Sequence, residues 1–181
     1  MLTITIPACE LWDRAAQEFI TIKKDTTLRL EHSLVSVSKW EQRWCKPFLT
    51  DDEKTMEEFI DYIQCMTITQ NVDPIVYRGI SNKTLNEIKK YIKAPMTATT
   101  FHSLSNSKPS SEFTTSELIY YWMLSLNIPV EFEKWHLNRL ITLIRVCSEK
   151  NQPQKKKSEA EILKEYARIN EMNRKKYGIR G

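Results

Sequence analysis

The sequence predicts an α+β domain that is mainly α: a small N-terminal antiparallel β-sheet packed on a bundle of four to five helices, with a basic helical tail after it. Three observations lead there. Apolar residues alternate with polar ones with a period of two in residues 1–31, they recur at three and four residues from Ser33 onward, and positive charge collects after residue 150. The expected organisation is one globular domain over residues 1–150, with β-hairpin or sheet over 1–31 and helices over 32–150, and a basic linker and C-terminal helix over 151–181. The length fits this, since domains most often run to roughly 100–150 residues.

The strands come first. Leu2, Ile4 and Ile6 alternate with Thr3 and Thr5, and the same period returns at Phe19/Ile20 to Ile22 and at Leu28 and Leu30. Two or three short strands are expected. Lys24-Asp25 is the expected hairpin turn between the later two, and Leu11 to Gln17 a connection or an extra helical turn.

The helices follow. Leu34, Val37, Trp40 and Trp44 define a first helix over 34–46, stopped by Pro47. The spacing T/S-x-x-E, in which two side chains satisfy two unpaired backbone donors at a helix start, occurs at Thr50–Glu53, Thr84–Glu87, Thr114–Glu117 and Ser158–Glu161. These place four further helix starts. Residues 117–126 are apolar almost all round, Asn127-Ile128-Pro129 breaks the run, and one helix is expected from Glu131 to Cys147; this pair should centre the core. Between Ala94 and Phe113, Pro95, Pro109 and many Ser and Thr predict a long loop with one strand at Thr97–Phe101.

The tail differs in kind. The chain holds 27 Lys+Arg against 23 Asp+Glu, a net charge of +4. Residues 151–181 carry nine Lys/Arg against four Glu, hence +5, which leaves about −1 for the rest. Its helix bears only Ile162, Leu163, Tyr166, Ile169 and Met172 as a narrow apolar stripe, the kind that docks on another protein.

Composition and motifs narrow the function. No apolar run approaches the roughly 18 residues of a membrane span, and Met1 to Glu10 lacks the pattern of a signal peptide, so a cytoplasmic protein is expected. Cys9, Cys45, Cys65 and Cys147 show no C-x-x-C spacing and are expected as buried free thiols. With three glycines and neither a G-x-G-x-x-G nor a P-loop pattern, no glycine-rich nucleotide site is expected. Glu133 and His136 have the spacing used in helical di-iron sites, but those need a second copy and further glutamates, and an ion pair or packing contact is the better account. His32, His102 and His136 leave few ways to build a nucleophilic triad. The expectation is a non-enzymatic binding protein with no cofactor and no metal, and with Trp40, Trp44, Trp122 and Trp135 as core or near-core rings.

The run from Leu28 through Trp40 to Lys46-Pro47-Phe48-Leu49, with Ile128-Pro129, Trp135-His136-Leu137-Asn138-Arg139-Leu140 and Leu143-Ile144-Arg145-Val146, resembles the tail assembly chaperones of tailed bacteriophages and prophages. The likeness covers most of residues 1–150, including Leu2–Pro7 and 61–74, and fades at 97–112 and in the tail. It implies a protein that coats the tape measure protein during tail morphogenesis, meets the major tail tube protein as that polymerises, acts in the cytoplasm of the bacterial host and is left out of the mature virion. A coat of this kind needs exposed apolar surface, self-association and release, all of which favour modest affinity per contact.

The residues expected to carry interaction are Trp40 and Trp44 on the first helix, Trp135, His136 and Arg139 on the core helix, and Ile162, Tyr166 and Ile169 in the tail. Two other readings belong to different classes. One is a structural virion component, a tail completion or head-tail joining protein; the other is a nucleic-acid-binding regulator using the basic tail, which lacks the interleaved aromatics of single-strand binders.

Overall fold

The computed structural model describes residues 1–13, 17–50, 52–100, 113–151 and 159–177. The chain divides into two compact units, Met1–Ser148 and Glu149–Gly181.

The first unit opens with four strands, β1 Leu2–Ile6, β2 Cys9–Asp13, β3 Glu18–Ile22 and β4 Thr26–Leu30. β1 pairs with β4, from Leu2 opposite Leu30 to Ile6 opposite Thr26, and β2 pairs with β3, from Cys9 opposite Ile22 to Asp13 opposite Glu18, both antiparallel. The two ladders therefore lie in series along one long hairpin. Where they meet, Pro7 and Ala8 face Lys23, Lys24 and Asp25, so the returning chain carries one extra residue, as at a bulge. Lys24-Asp25 is thus an interruption within a ribbon and no hairpin turn, because β4 pairs with β1 and not with β3. The Asp25 carboxylate secures this step by accepting the Ala8 N–H at 2.8 Å.

The extra residue also sets which way side chains face. Ile6 and Cys9 are an odd number of residues apart and in an unbroken strand would point to opposite faces. The first chain changes parity over Pro7-Ala8, so that Ile4 and Ile6 are buried and Cys9 and Leu11 half-buried beside them, while on the returning chain Ile20, Ile22, Leu28 and Leu30 stay in phase across 23–25 and are buried. Residues after the second helix cover the far edge of β4: Glu31 N–H donates to the Met66 carbonyl at 2.9 Å and Ile68 N–H to the Arg29 carbonyl at 2.8 Å. A 3-10 turn, Pro74–Gly79, then packs against the ribbon. A Cβ at Gly79 would meet the Ile22 Cδ1 and Ile6 Cγ2 methyls, so a larger residue here would have to displace the Ile22 side-chain end.

Among the described residues five helices follow: α1 Leu34–Trp44, α2 Met56–Met66, α3 Asn82–Lys93, α4 Ser116–Ser125 and α5 Leu137–Asn151, the last running three residues past the end of the first unit. α1 starts in a reciprocal Ser33/Ser36 cap and ends at Cys45, whose φ of 51° is left-handed. The α2 cap is Thr55 with Glu58, not Thr50 with Glu53. Both pairs have the right spacing, and the inward stripe of Tyr62, Ile63 and Met66 decides between them, since it begins only with the later pair. In α3 the cap is Ser81, with Thr84 at its third position, and in α4 it is Thr115, one residue after the expected Thr114.

The helix expected from Glu131 to Cys147 is divided. Val130–Lys134 is a 3-10 turn, and the backbone then extends through Trp135 before α5 begins at Leu137. The interruption has a partner: His136 bridges to Ser33, and Leu137 N–H donates to the His32 carbonyl at 2.7 Å. Residues 97–100 are not a strand, and Phe101 lies outside the described residues. All four cysteines are free thiols, but only Cys65 is buried; Cys45 is exposed at the end of α1. One core joins ribbon and helices, with Leu28, Leu30, Leu34, Val37, Trp40, Tyr62, Ile63, Ile88, Ile119, Met123, Leu137 and Leu140 enclosed.

The second unit holds α6, Glu159–Tyr177. His102, Pro109, Ser158 and Arg180 lie outside the described residues.

Candidate interaction surface

Of the two tryptophans on α1, one belongs to the core. Trp40 is 1% exposed; its indole N–H donates to the Glu58 carbonyl at 2.9 Å and its ring meets Phe48 edge-on at 5.2 Å. It cannot touch a partner while the domain is folded. Its neighbour Trp44 stacks on it at 6.1 Å, is half-buried, and donates its indole N–H to Asp61 at 3.0 Å. Asp61 in turn pairs with Arg43 at 2.5 Å. With exposed Met56 and half-buried Ile60, these side chains line an open groove of about 670 Å³ between α1 and α2. Trp44 is one turn of helix beyond Trp40, and that single turn moves it from the core to its edge.

The second expected cluster also separates. Trp135 stacks flat on Phe132 at 4.1 Å, and the exposed Arg139 guanidinium lies over its other face at 4.0 Å. Phe132, Trp135 and Arg139 thus form a layered ledge whose rings are half-buried, with a cation held on its outer side. His136 points the other way. It is buried, its Nε2 lies 3.1 Å from the Tyr91 carbonyl, and its Nδ1 has no hydrogen-bond partner. Glu133, expected beside it, instead accepts the Tyr120 hydroxyl at 2.8 Å.

His136 belongs to a buried polar core. Its ring meets His32 at 5.0 Å and Tyr91 at 5.0 Å, and His32 Nδ1 shares a hydrogen bond of 2.5 Å with the Tyr62 hydroxyl. Ser36 stands beside that hydroxyl at 3.4 Å, and Tyr91 donates to Glu31 at 2.6 Å. Burial, with the neighbouring His136 second, pushes the His32 imidazole down to about 3. Burial also lowers His136, against the opposing pull of the Tyr91 carbonyl and Glu31. Two buried imidazoles thus pack against each other among the Tyr62 and Tyr91 rings, with burial disfavouring their charged forms. Among the described residues no three His, Cys, Asp or Glu stand together as metal ligands.

Two surfaces were not foreseen from the sequence. Trp12 and Phe19 face each other across β2 and β3 near the hairpin tip, edge to face at 4.9 Å, and are 52% and 70% exposed. Phe19 and Ile20 both read as strand apolar content in the sequence, but adjacent residues of a strand point to opposite faces, and Ile20 takes the buried one. The signal was available in Trp12 and Phe19 both falling out of phase with Leu11 and Ile20.

The other surface is on α4, which is apolar nearly all round and would be expected to be covered on every side. Ile119 and Met123 are buried, yet Tyr121 and Leu124, neighbours at three residues' spacing, are 63% and 65% exposed. In the second unit, Leu163, Tyr166, Ile169 and Met172 of α6 are all exposed; the Ile162 side chain lies outside the described residues.

No helix among the described residues is long and apolar enough to cross a membrane. No protein-family model matches this chain, and no curated protein or solved structure is detectably similar to it.

Proposed function

We propose that this chain is a tail assembly chaperone of a tailed bacteriophage or prophage, a non-enzymatic protein that holds the tape measure protein in the host cytoplasm until tail tube subunits displace it. The observation that carries the reading is the exposed apolar surface of the first unit: the Trp12–Phe19 pair on the ribbon and the Tyr121–Leu124 face of α4. Large apolar side chains left in water on separate elements favour contact with other proteins. Several modest patches suit a chaperone better than one deep site, because a holder that must let go needs many weak contacts and not one strong one. The resemblance of residues 28–49 and 117–147 to tail assembly chaperones is the ground on which the tape measure protein is proposed as the partner.

Co-expression with the tape measure protein encoded in the same genome tests this. The expected outcome is a soluble complex, with the tape measure protein insoluble when made alone. A tape measure protein that is soluble alone and does not bind would favour the virion-component reading instead.

A further inference from the structure

We propose that α6 docks on a second copy of itself, antiparallel, so that two chains are joined through their C-terminal helices. The chaperone reading calls for self-association without saying through what; this assigns the element and its orientation, on observations that stand apart from that reading.

The first support is what α6 exposes. At 19 residues α6 is longer than the roughly 12–15 below which isolated helices are marginal, but most of a helix's stability in proteins comes from packing an amphipathic face. Here Leu163, Tyr166, Ile169 and Met172 are all exposed, and Tyr166 and Ile169 lie three apart on one side of the helix. Such a stripe is stabilised by a second stripe.

The second support is charge, and it selects the occupant. Residues 159–167 hold Glu159, Glu161 and Glu165 against Lys164, a net charge of −2. Residues 168–177 hold Arg168, Arg174, Lys175 and Lys176 against Glu171, a net charge of +3. Two such helices side by side and parallel would set acid against acid and base against base. Turned antiparallel, each acidic half lies along the basic half of the other, and Tyr166 of one comes level with Ile169 of the other. An acidic partner would meet repulsion at the first half and a basic partner at the second, whereas a second copy in this orientation satisfies both.

Sedimentation of the full-length chain over a range of concentrations tests the pairing. The expected result is a monomer–dimer equilibrium weakened at least about tenfold by Tyr166→Asp with Ile169→Asp, while the melting temperature of the first unit stays the same. Two charge variants separate pairing from helix formation. Glu159→Lys with Glu161→Lys makes α6 basic throughout, and Arg174→Glu with Lys176→Glu makes it largely acidic. Each is expected to be monomeric alone, and the two mixed are expected to form a heterodimer. A wild-type chain that is monomeric at every concentration overturns the proposal, since the charge gradient would then serve only the helix's own dipole. So does a dimer that survives Tyr166→Asp with Ile169→Asp, or a mixture of the charge variants that does not pair.

Discussion

Glu41 is a buried carboxylate that ties three parts of the first unit together. From the middle of α1, one of its oxygens accepts the Phe48 N–H at 2.7 Å and the other accepts the Ser116 N–H at 2.8 Å, at the first turn of α4. Glu41→Ala strands both backbone donors away from water, and each unsatisfied buried group costs about 1–3 kcal/mol. The variant is expected to unfold at lower denaturant with a loss of about 2–4 kcal/mol, measured by urea titration. The His32–His136 pair makes a second prediction at this scale. Because the folded pKa of His32 is near 3 and its ordinary value 6.5, the unfolded chain binds the proton more readily between those values. The stability that the neutral ring contributes is complete above pH 6.5 and is lost as pH falls from 6.5 toward 3. Urea titrations at pH 7, 5.5 and 4.5 should show a steeper decline for wild type than for His32→Gln; equal slopes would mean that the imidazole is not held neutral.

The elements show where sequence and structure part. The periods of two and of three to four located the ribbon and the helix bundle, because Ile4, Ile6, Leu28 and Leu30, and later Leu34, Val37 and Trp40, each repeat on one face. Pairing was not legible. β1 joins β4 and β2 joins β3 because all four lie in one long hairpin that 23–25 interrupts with one extra residue, and nothing in Lys23-Lys24-Asp25 announces a bulge rather than a turn. The break before α5 was equally hidden, since its cause is a backbone contact with His32 and Ser33, far away in sequence. Of the expected interaction residues, Trp44, Trp135, Arg139, Tyr166 and Ile169 reach the surface at least in part, while Trp40 and His136 are enclosed by neighbours that periodicity alone does not reveal. The ribbon tip yields its own prediction. A cross-strand aromatic pair contributes about 0.2–1 kcal/mol, so Trp12→Ser with Phe19→Ser should leave the melting temperature nearly unchanged. On the proposed function the same variant should retain less tape measure protein in a pull-down; undiminished capture would remove the ribbon tip from the binding surface.

The whole molecule combines a unit with one enclosed core and a second unit whose helix keeps its apolar side in water. On the two proposals, clients would meet the ribbon and α4, and other copies of the chain would meet α6. Many copies along one long client would then reinforce each other, because each chain held by a neighbour rebinds at high effective concentration. A coat of this kind is distinguished by its stoichiometry. The most direct test is the mass, by light scattering or native mass spectrometry, of the complex recovered when this chain and the tape measure protein are made together. Many copies of this chain are expected on each tape measure protein. Recovery of the two proteins as separate species, with this chain instead found in fixed amount in purified phage particles, would contradict it.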